Sequence, residues 1–315
     1  MKYVFLLNRF SLKNKLDAVL ERIKTYAESK GFDHIIEVNN DEISTEDILE
    51  KYEKEECVVF AIGGDGSVNR VVNKIHGTKN ILGVIPSGTG NDFYRTERDC
   101  FQTGINEVDL LKINDSYFLN VACFGIDAKI GNQDDVVHSK LIPESQRYNA
   151  AIVKCFSQYK PTDFHVKVGD VINTHKGRKG LCDFIDPKSS IDEKLASVIV
   201  CNARYYGRGY YVNPLGNVND GLIDIVIPGA LSKLELVRYI LAMKKGKHID
   251  MDNSRYFQTN KITITCDNEV SANVDGERLT AKKFDISVCP KKLRIYYDDD
   301  LARAINSVNP QLKMK

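Results

Sequence analysis

The stretch CVVFAIGGDGSVNRVVNKI, residues 57–75, decides the fold of the N-terminal part of the chain. Its first part, Cys57 to Ile62, is a short apolar run that predicts a buried strand, while Ser67 to Ile75 has the spacing of a helix. The turn Gly63-Gly64-Asp65-Gly66 lies between them. A strand that passes through glycines directly into a helix is the unit of a parallel α/β sheet, so the sequence predicts an α/β layer here.

The segments on either side repeat this alternation of strand and helix. The predicted elements are strands at Tyr3 to Leu7, Phe32 to Val38 and Ile81 to Ile85, and helices at Leu12 to Ser29 and from Ser44 to about Lys54. Ser44 and Asp47 have the spacing of a capping box. A second glycine-rich turn, Pro86 to Asp92, follows the strand at Ile81 to Ile85. Residues 1–113 are therefore predicted to form an N-terminal α/β domain.

From about Asn114 the pattern changes to the alternation typical of β-strands. Predicted strands lie at Tyr117 to Phe124, Asp163 to Val168, Ala196 to Cys201, Leu222 to Ile227, Lys261 to Cys266, Phe284 to Cys289 and Lys292 to Tyr297, with helices at Gln146 to Tyr159 and Lys233 to Lys245. A mainly antiparallel second domain over residues 114–298 follows. A helix at Leu301 to Val308 is expected to return, so that residues 299–315 pack on the first domain. The segment His175 to Lys194 is expected to be an exposed loop, either a lid or a plain surface insertion.

Length and charge exclude several classes of protein. With 315 residues the chain is long enough for two domains with separate cores. Lys plus Arg number 44 and Asp plus Glu 43, a net charge of +1 that argues against nucleic-acid binding by bulk charge. No stretch has the length of a signal-peptide core or a membrane-spanning helix. The eight cysteines contain no CxxC pair, so we expect reduced thiols in a cytoplasmic protein.

The two glycine-rich turns each follow a strand and open a helix, where backbone N–H groups bind anions such as phosphate. Their glycines can adopt positive φ angles that turn these groups toward the anion. Asp65 places a carboxylate inside such a site, where it would repel phosphate. An accompanying Mg²⁺ would remove this conflict, because it binds both the carboxylate and the phosphates. Neither a P-loop nor a Rossmann fingerprint is present. An ordinary tight turn is the alternative for either turn alone, but two turns at adjacent strand ends are expected to face one crevice.

The same turns carry a resemblance to a known family. GGDGSVNRVVN at Gly63 to Asn73 and PSGTGNDFYR at Pro86 to Arg95 resemble the two nucleotide-binding signatures of the diacylglycerol kinase catalytic-domain family, the bacterial soluble lipid kinases related to sphingosine kinases. Three later segments agree, in the same order: NVACFGI at Asn120 to Ile126, the stretch from Tyr206 to Ile227, and the DGE that ends at Glu277.

The resemblance implies a two-domain enzyme in which ATP binds between an α/β nucleotide-binding domain and a C-terminal β-sandwich domain. It places the ATP site at Asn8, Gly63, Gly64, Asp65, Gly66, Ser67, Asn69, Gly88, Thr89, Gly90, Asn91 and Asp92. Asp65 would lie beside the phosphates and the catalytic Mg²⁺. Acid–base chemistry on the acceptor hydroxyl is assigned to Asp275 and Glu277, and the sequence leaves open which of them is the base. A second magnesium site of the bacterial members corresponds to Asn217, Asp220 and Leu222, the first and last through backbone oxygens.

The activity that the resemblance implies is transfer of the γ-phosphate of ATP to the hydroxyl of diacylglycerol or a related lipid, giving phosphatidate and ADP. Such an enzyme would be cytoplasmic and would contact the membrane surface transiently. Basic clusters at residues 176–179, 244–248, 282–283 and 291–292 are candidates for this contact, although such runs are usually solvated faces. No nucleic-acid partner is expected, and a homodimer is left open.

The sequence leaves two other functions open, and the first of them rests on two departures from the family pattern. The segment Asn8 to Leu12 lacks the proline and glycine of the family's N-terminal motif, and Arg70 stands where the family usually has glutamate. A nucleotide-binding regulator without turnover is therefore one alternative. A soluble-metabolite kinase is another, because NAD kinases share the GGDG turn and a related fold, although the GTGND run and the DGE match the lipid branch better.

Overall fold

The structure is a computed structural model that describes residues 1–12, 15–88, 90–132, 144–175 and 190–306. The chain divides into two units. The first unit consists of Met1–Val108 and Lys291–Lys315, and the second of Asp109–Pro290. Each unit has its own hydrophobic core, as expected for a chain of this length.

A parallel sheet forms the centre of the first unit. Its strands are β1 (Lys2–Asn8), β2 (His34–Asn39), β3 (Cys57–Gly63), β4 (Ile81–Pro86) and the end of β15 (Glu277–Tyr297), in the order β2-β1-β3-β4-β15. Its helices are α1 (Arg9–Leu12), α2 (Leu16–Lys30), α3 (Thr45–Glu50), α4 (Asp65–Ile75), α5 (Asp92–Cys100) and α9 (Asp299–Asn306). Because these strand pairs are parallel, the carboxyl ends of β1 to β4 lie at one edge of the sheet.

The core of the first unit combines residues of this sheet with residues of α2 and α9. All seven residues of β3 are buried, as a continuous apolar run predicts for a central parallel strand. Phe5 and Phe60 stack with their ring centroids 4.8 Å apart. Ile23 of α2 and Leu301 of α9 belong to the same cluster, so the C-terminal helix helps to close this core.

The second unit is built from antiparallel strand pairs. The strands that lie wholly or partly in it are β5 (Gly104–Ile113), β6 (Ser116–Phe118), β7 (Val121–Gly125), β8 (Thr162–Val168), β9 (Val171–Thr174), β10 (Ser190–Leu195), β11 (Ser197–Cys201), β12 (Ile223–Pro228), β13 (Ser254–Thr259), β14 (Lys261–Val274) and β15. Its helices are α6 (Ile126–Gly131), α7 (Glu144–Ser157) and α8 (Lys233–Met243), and a short 3₁₀ helix spans Lys247–Asp250. The main strand order is β15-β14-β7-β11-β12-β13-β9, and β8 pairs with both β14 and β10.

Strands β7, β11 and β12 are buried on both faces, because alternate residues face two different clusters. Phe124 and Ile225 belong to a cluster that also contains residues of β8, β14 and β15. Cys123 and Val226 belong to a second cluster, which contains residues of α7 and α8. The second unit is therefore a β-sandwich in which helices cover the outer face of one layer.

Most predicted elements are present, and three predicted strands are wrong in extent for identifiable reasons, while the strand predicted at Lys261 to Cys266 continues to Val274. The strand predicted at Tyr117 to Phe124 is split into β6 and β7, because the Asp275 carboxylate binds the N–H groups of Leu119 and Asn120 between them. The strands predicted at Phe284 to Cys289 and Lys292 to Tyr297 form one strand, β15, which continues through Pro290.

The predicted loop from His175 to Lys194 is also partly wrong. Residues 190–194 belong to β10, which pairs with β8, whereas residues 176–189 lie outside the described residues. The last predicted helix is observed as Asp299–Asn306, and residues 307–308 also lie outside the described part. Strands β5, β9 and β13 and helix α6 were not predicted. The sequences of β5 and β13 mix polar and apolar residues, which weakens the period-2 signal.

Candidate functional site

The first glycine-rich turn ends β3 and starts α4. Helix α4 begins at Asp65, earlier than the predicted Ser67, and Gly64 is its N-cap residue. A Cβ on Gly63 would clash with the side chain of Ser67, so a side chain does not fit there without movement. Gly63 and Gly64 do not have the positive φ angles expected from the sequence. These glycines serve instead to allow close packing.

The second glycine-rich turn packs directly on the first. The Ser87 N–H donates to the Gly63 carbonyl oxygen at 2.9 Å, and a Cβ on Gly88 would lie 2.7 Å from Gly64 Cα. Asn91 closes the turn, because its side chain accepts from the Gly88 N–H at 3.0 Å and donates to the Gly88 carbonyl oxygen at 2.8 Å. The left-handed residue here is Asn91, with φ 53°, a residue type that tolerates this conformation.

Asp65 joins the two turns through its side chain. Its Oδ1 accepts hydrogen bonds from the backbone N–H groups of Asp92 at 2.8 Å and Phe93 at 3.2 Å, at the start of α5. Burial raises the pKa of the Asp65 carboxyl, and the donated N–H groups oppose that shift. The carboxylate therefore caps a helix of the second turn while it lies in the first.

Polar side chains at the neighbouring strand ends extend this arrangement. Asn8, the last residue of β1, donates from Nδ2 to Ser67 Oγ at 3.2 Å. Asn39, the last residue of β2, accepts from the Arg9 N–H at 3.0 Å. Within the described part of the chain, the buried Ser87 Oγ has no hydrogen-bond partner. The edge of the sheet thus presents hydroxyl and amide groups beside the two turns.

The other predicted nucleotide-site residues fall on the same helices and turns, with one exception. Gly66, Ser67 and Asn69 lie in the first part of α4, and Asp92 is the first residue of α5, where it is buried. The Gly90 carbonyl oxygen accepts a 3.4 Å hydrogen bond from Arg95 Nε. Thr89 lies outside the described residues.

This geometry can hold a phosphorylated ligand. The first N–H groups of a helix have no partner within the helix, and the positive end of the helix dipole favours an anion there. Helix α4 has no side-chain cap from Gly64, so its N-terminus meets this condition. The unpartnered Ser87 hydroxyl adds a hydrogen-bonding group in the second turn.

The donor set of the two turns also fits Mg²⁺. No group of three or more His, Cys, Asp or Glu side chains that could hold a metal occurs among the described residues. Magnesium is usually held by only one or two carboxylates together with phosphate oxygens and water. The turns contribute two aspartates, Asp65 and Asp92, whose carboxylates are ligands of that type; the Asp92 N–H donates to Asp65 Oδ1, and the Asp92 carboxylate lies 3.9 Å from Arg95 Nε.

In the second unit, Asp275 occupies a tight hairpin turn between β14 and β15. Its φ is 49° and that of Gly276 is 92°, values that an Asp-Gly hairpin turn adopts readily. The buried carboxylate accepts hydrogen bonds from the N–H groups of Leu119, Asn120 and Val121 at 2.8, 3.0 and 2.9 Å. Asp275 therefore fixes the chain between β6 and β7.

Glu277 has a different environment from Asp275. It is the first residue of β15, pairs with Val274 across the hairpin, and is exposed to solvent. The hairpin thus carries one buried carboxylate that accepts backbone hydrogen bonds and one exposed carboxylate two residues later. Only the second is accessible to a ligand from solution.

The three residues of the predicted second magnesium site lie in one loop before β12. Asp220 Oδ1 accepts from the Leu222 N–H at 3.0 Å, and its other oxygen accepts from Gln258 Nε2 at 3.2 Å. Asn217 is exposed. Burial raises the pKa of Asp220, and the Asp109 charge raises it further. A carboxylate and backbone carbonyl oxygens of one loop are ligand types that Mg²⁺ accepts.

Sequence reasoning missed the buried polar network next to this loop. Asp109 accepts from the Gly221 N–H at 2.7 Å. Asp224 accepts from Asn213 Nδ2 and Gln258 Nε2, both at 2.8 Å, and burial raises its pKa to about 6. The available signal was a single aspartate inside an otherwise apolar strand, as in IDIVIP of β12, since a charge in such a run needs buried partners.

Comparison with known families matches the two units separately. Residues 2–112 match the diacylglycerol kinase catalytic domain. Residues 120–297 match the YegS C-terminal NAD kinase beta sandwich-like domain. The second match alone covers more than half of the chain.

Individual relatives agree with these matches. The chain is 25% identical over 256 residues to a diacylglycerol kinase of Mycobacterium tuberculosis, covering 75% of each chain. It is 23% identical over 233 residues to a diacylglycerol kinase of Bacillus subtilis, covering 70% of this chain and 71% of the relative. A crystal structure of a diacylglycerol kinase from Bacillus anthracis superposes with a TM-score of 0.65 at 18% identity, covering 95% of this chain and 98% of the other, and supports the fold.

Proposed function

The chain belongs to the lipid kinase family defined by the diacylglycerol kinase catalytic domain and the YegS C-terminal domain, and from that membership we propose that it phosphorylates diacylglycerol. In this reaction the γ-phosphate of ATP passes to the lipid hydroxyl, giving phosphatidate and ADP. Relatives named diacylglycerol kinase, 23–25% identical to the chain, support this choice of substrate.

The observation that carries the proposal is the contact between the two glycine-rich turns. Asp65 of the first turn caps the helix of the second, and Gly64 and Gly88 pack backbone to backbone. Phosphoryl transfer depends on positioning and on neutralising phosphate charge, and no covalent nucleophile on the protein is needed. Two joined turns, one of which opens α4 at an N-terminus without a side-chain cap from Gly64, suit that task.

We assign the ATP phosphates to these turns. Asn8, Gly63, Gly64, Gly66, Ser67, Asn69, Gly88, Thr89, Gly90, Asn91 and Asp92 are the proposed nucleotide contacts. Asp65 would be the first carboxylate ligand of the catalytic Mg²⁺, which when bound neutralises the phosphate oxygens. The segment Asn8 to Leu12 lacks the proline and glycine of the family motif. We still include Asn8 in the proposed site, because its side chain donates a hydrogen bond to Ser67 of the first turn.

The base in this proposal is Glu277. A base must reach the acceptor hydroxyl, and Glu277 is the exposed carboxylate of the hairpin. Its carboxylate would take the hydroxyl proton as the oxygen attacks the γ-phosphorus and ADP leaves. Asp275 would act as a positioning residue, because its oxygens already accept backbone N–H groups.

The loop with Asn217, Asp220 and Leu222 is proposed as a structural magnesium site. The Asp220 carboxylate and the two backbone carbonyl oxygens would hold the ion. Asp109 supports the loop by accepting the Gly221 N–H. We expect the ion to order this loop without taking part in phosphoryl transfer.

The test is transfer of labelled phosphate from ATP, with magnesium, to separate acceptors. The panel consists of diacylglycerol, sphingosine, a phosphatidylglycerol-type lipid and NAD, with an acceptor-free control. Labelled phosphatidate is the expected product. Transfer to another lipid would replace the substrate but keep the reaction, and transfer to NAD alone would favour a soluble-metabolite kinase. Binding of ATP without transfer to any acceptor would indicate a regulator.

A further inference from the structure

Helix α8 has apolar residues on two opposite sides. Leu236, Tyr239 and Met243 are buried in the core of the second unit. Leu234 and Leu241, in contrast, are 61% and 58% exposed, and Val237 is 38% exposed. These three lie at positions i, i+3 and i+7, so they form one apolar stripe on the outer side of the helix.

Basic residues flank the stripe on both sides. At 100° per residue, Arg238 lies on one side and Lys233 and Lys244 on the other, while Lys245 continues the stripe beyond the helix end. All four are exposed. We refer to Leu234, Val237, Arg238, Leu241 and Lys245 as the α8 face.

The acidic residue of this helix is directed away from the α8 face by its own contacts. Glu235 forms a capping box with Ser232, accepting from the Ser232 N–H at 2.8 Å. Its other oxygen accepts from Asn253 Nδ2 at 3.2 Å. The α8 face therefore combines apolar side chains with positive charge, and Glu235 adjoins it at Arg238, whose charge acts on that carboxylate. This composition binds the interface of an anionic bilayer.

We propose that the α8 face docks the protein on the surface of a bilayer that contains anionic lipids. The inference rests on the proposed function only in that a lipid substrate gives the contact its purpose. With 11 residues, α8 is about 16 Å long, so it would lie along the surface. No described helix is long and apolar enough to cross a membrane.

Charge decides between a bilayer and a second copy of this chain as the occupant. In a two-fold symmetric contact the α8 face of one copy would meet the α8 face of the other, so both sides of the contact would carry positive charge from Arg238 and Lys245. A bilayer with anionic head groups offers opposite charge on the outside and apolar volume beneath it. The bilayer is complementary to both parts of the face, and the second copy only to the apolar part.

The helix is held firmly enough for its outer side to be changed. The capping box fixes its start, and Lys233 Nζ donates to the Ser157 carbonyl oxygen of α7 at 2.9 Å. Gly246, with φ 66°, follows its end. Substitutions at Leu234 and Leu241 remove no buried contact, so the variants are expected to fold.

The experiment measures co-sedimentation of the full chain with vesicles of phosphatidylcholine plus phosphatidylglycerol, and with vesicles of phosphatidylcholine alone. The wild type should bind the anionic vesicles more strongly, and added salt should weaken binding. Leu234→Gln with Leu241→Gln should weaken it about tenfold or more. Arg238→Gln with Lys245→Gln should also weaken it, by about tenfold.

Each pair of substitutions has a control of the same chemical type in the second unit, a single substitution for the leucine pair and a double one for the basic pair. Ile172→Gln changes an apolar residue that is 48% exposed on β9. Lys167→Gln with Lys261→Gln removes two exposed lysines from β8 and β14. Neither control should alter vesicle binding. Equal losses of vesicle binding in a control and in the corresponding α8 variant would overturn the proposal. It would also be overturned if the wild type sedimented as a dimer and the leucine variant as a monomer, with unchanged vesicle binding.

Kinase assays separate this inference from the proposed function. If the α8 variants lose vesicle binding but no lipid is phosphorylated by the wild type, the docking surface stands and the function is wrong. If diacylglycerol is phosphorylated, the leucine variant should lose rate on vesicles and keep it on short-chain diacylglycerol in detergent. Unchanged binding and unchanged rate on vesicles would refute the docking surface and leave the function intact.

Discussion

The Asp65 carboxylate accepts a 2.8 Å hydrogen bond from the backbone N–H of Asp92, a residue 27 positions later in the chain. Helix α5 has no capping hydrogen bond from its own N-cap side chain, Asn91. A side chain of the first glycine-rich turn thus provides the cap that the second turn lacks. Loss of this side chain should affect both the stability of the first unit and any ligand held by the turns.

We expect Asp65→Ala to lower stability by about 1–2 kcal/mol, the usual cost of a lost helix cap. ATP binding and kinase activity should be lost as well. Asp65→Asn keeps an oxygen that can accept from Asp92 and Phe93 but removes the charge, so it should restore most of the stability and little of the activity. Thermal unfolding and titration calorimetry with ATP measure the two effects.

Ser44→Ala is the matched control for Asp65→Ala. It removes the capping box of α3 in the same unit, whose hydrogen bonds join Ser44 and Asp47 to each other. The melting temperature should fall while ATP affinity stays at the wild-type value. Full ATP binding by Asp65→Asn would show that the charge of Asp65 has no part in nucleotide or magnesium binding.

Because Gly64 of the first turn lies against Gly88 of the second, we predict that a side chain at Gly88 disrupts the packing of the two turns. In Gly88→Ala the added Cβ would approach Gly64 Cα to 2.7 Å, so the turns must separate. We expect ATP affinity to fall about tenfold or more, because phosphate binding depends on the position of the turn. Gly229→Ala is the control, since its Cβ would have a nearest contact of 3.7 Å. Unchanged ATP affinity in Gly88→Ala would mean that close packing of the turns is not needed.

The different environments of Glu277 and Asp275 predict different effects of removing each charge. Glu277→Gln should reduce turnover about 100- to 10,000-fold, the range for loss of a general base, with ATP binding and melting temperature retained. The substitution changes an exposed side chain, so no structural loss is expected. Turnover, ATP affinity and thermal unfolding are measured on the same preparation. Wild-type turnover in Glu277→Gln would exclude it as the base.

Asp275→Asn should act mainly on stability. The new amide group would face a backbone N–H of residues 119–121 in place of an accepting oxygen. An unpaired buried donor of this kind costs about 1–3 kcal/mol. We expect a lower melting temperature, and a turnover that falls less than in Glu277→Gln when both are measured well below the transition. A larger loss of turnover in Asp275→Asn than in Glu277→Gln would make Asp275 the base.

Local sequence patterns identified the elements that carry the candidate site. Strand β3 is predicted by its apolar run, and α4 by its amphipathic spacing after the glycines. The capping box is predicted by the spacing of Ser44 and Asp47. The sequence predicts that the two turns face one crevice, because adjacent parallel strands end at one edge, whereas the direct packing of Gly88 on Gly64 was not predicted. The predicted features need no knowledge of distant contacts.

Features set by distant side chains were not predictable. Asp65 and Asp275 both bind backbone groups far away in sequence, and the second of these splits the predicted strand at Tyr117 to Phe124. The role of the glycines was also misjudged, since close packing and not positive φ requires them at Gly63 and Gly88. A pattern along one segment contains no information about the partner that a carboxylate finds in the folded chain.

Glu97 on α5 leads to a prediction about pH. It is 1% exposed, and neither carboxyl oxygen has a hydrogen-bond partner among the described residues. Burial raises its pKa well above the ordinary value. The folded state therefore holds a proton that the unfolded chain releases above about pH 4.3, so the stability of the first unit should fall as pH rises from there toward the raised pKa.

Glu97→Leu removes the buried acid and keeps a side chain of similar size. We expect it to stabilise the first unit by about 1–3 kcal/mol at neutral pH and to abolish this part of the pH dependence. Glu97→Gln should also remove the pH dependence but stabilise less, because its amide is still buried without partners. Melting temperatures of the three proteins at several pH values between about 4 and 8 test this. Parallel curves for wild type and Glu97→Leu would mean that Glu97 is ionised in the folded state and has a partner that holds its charge.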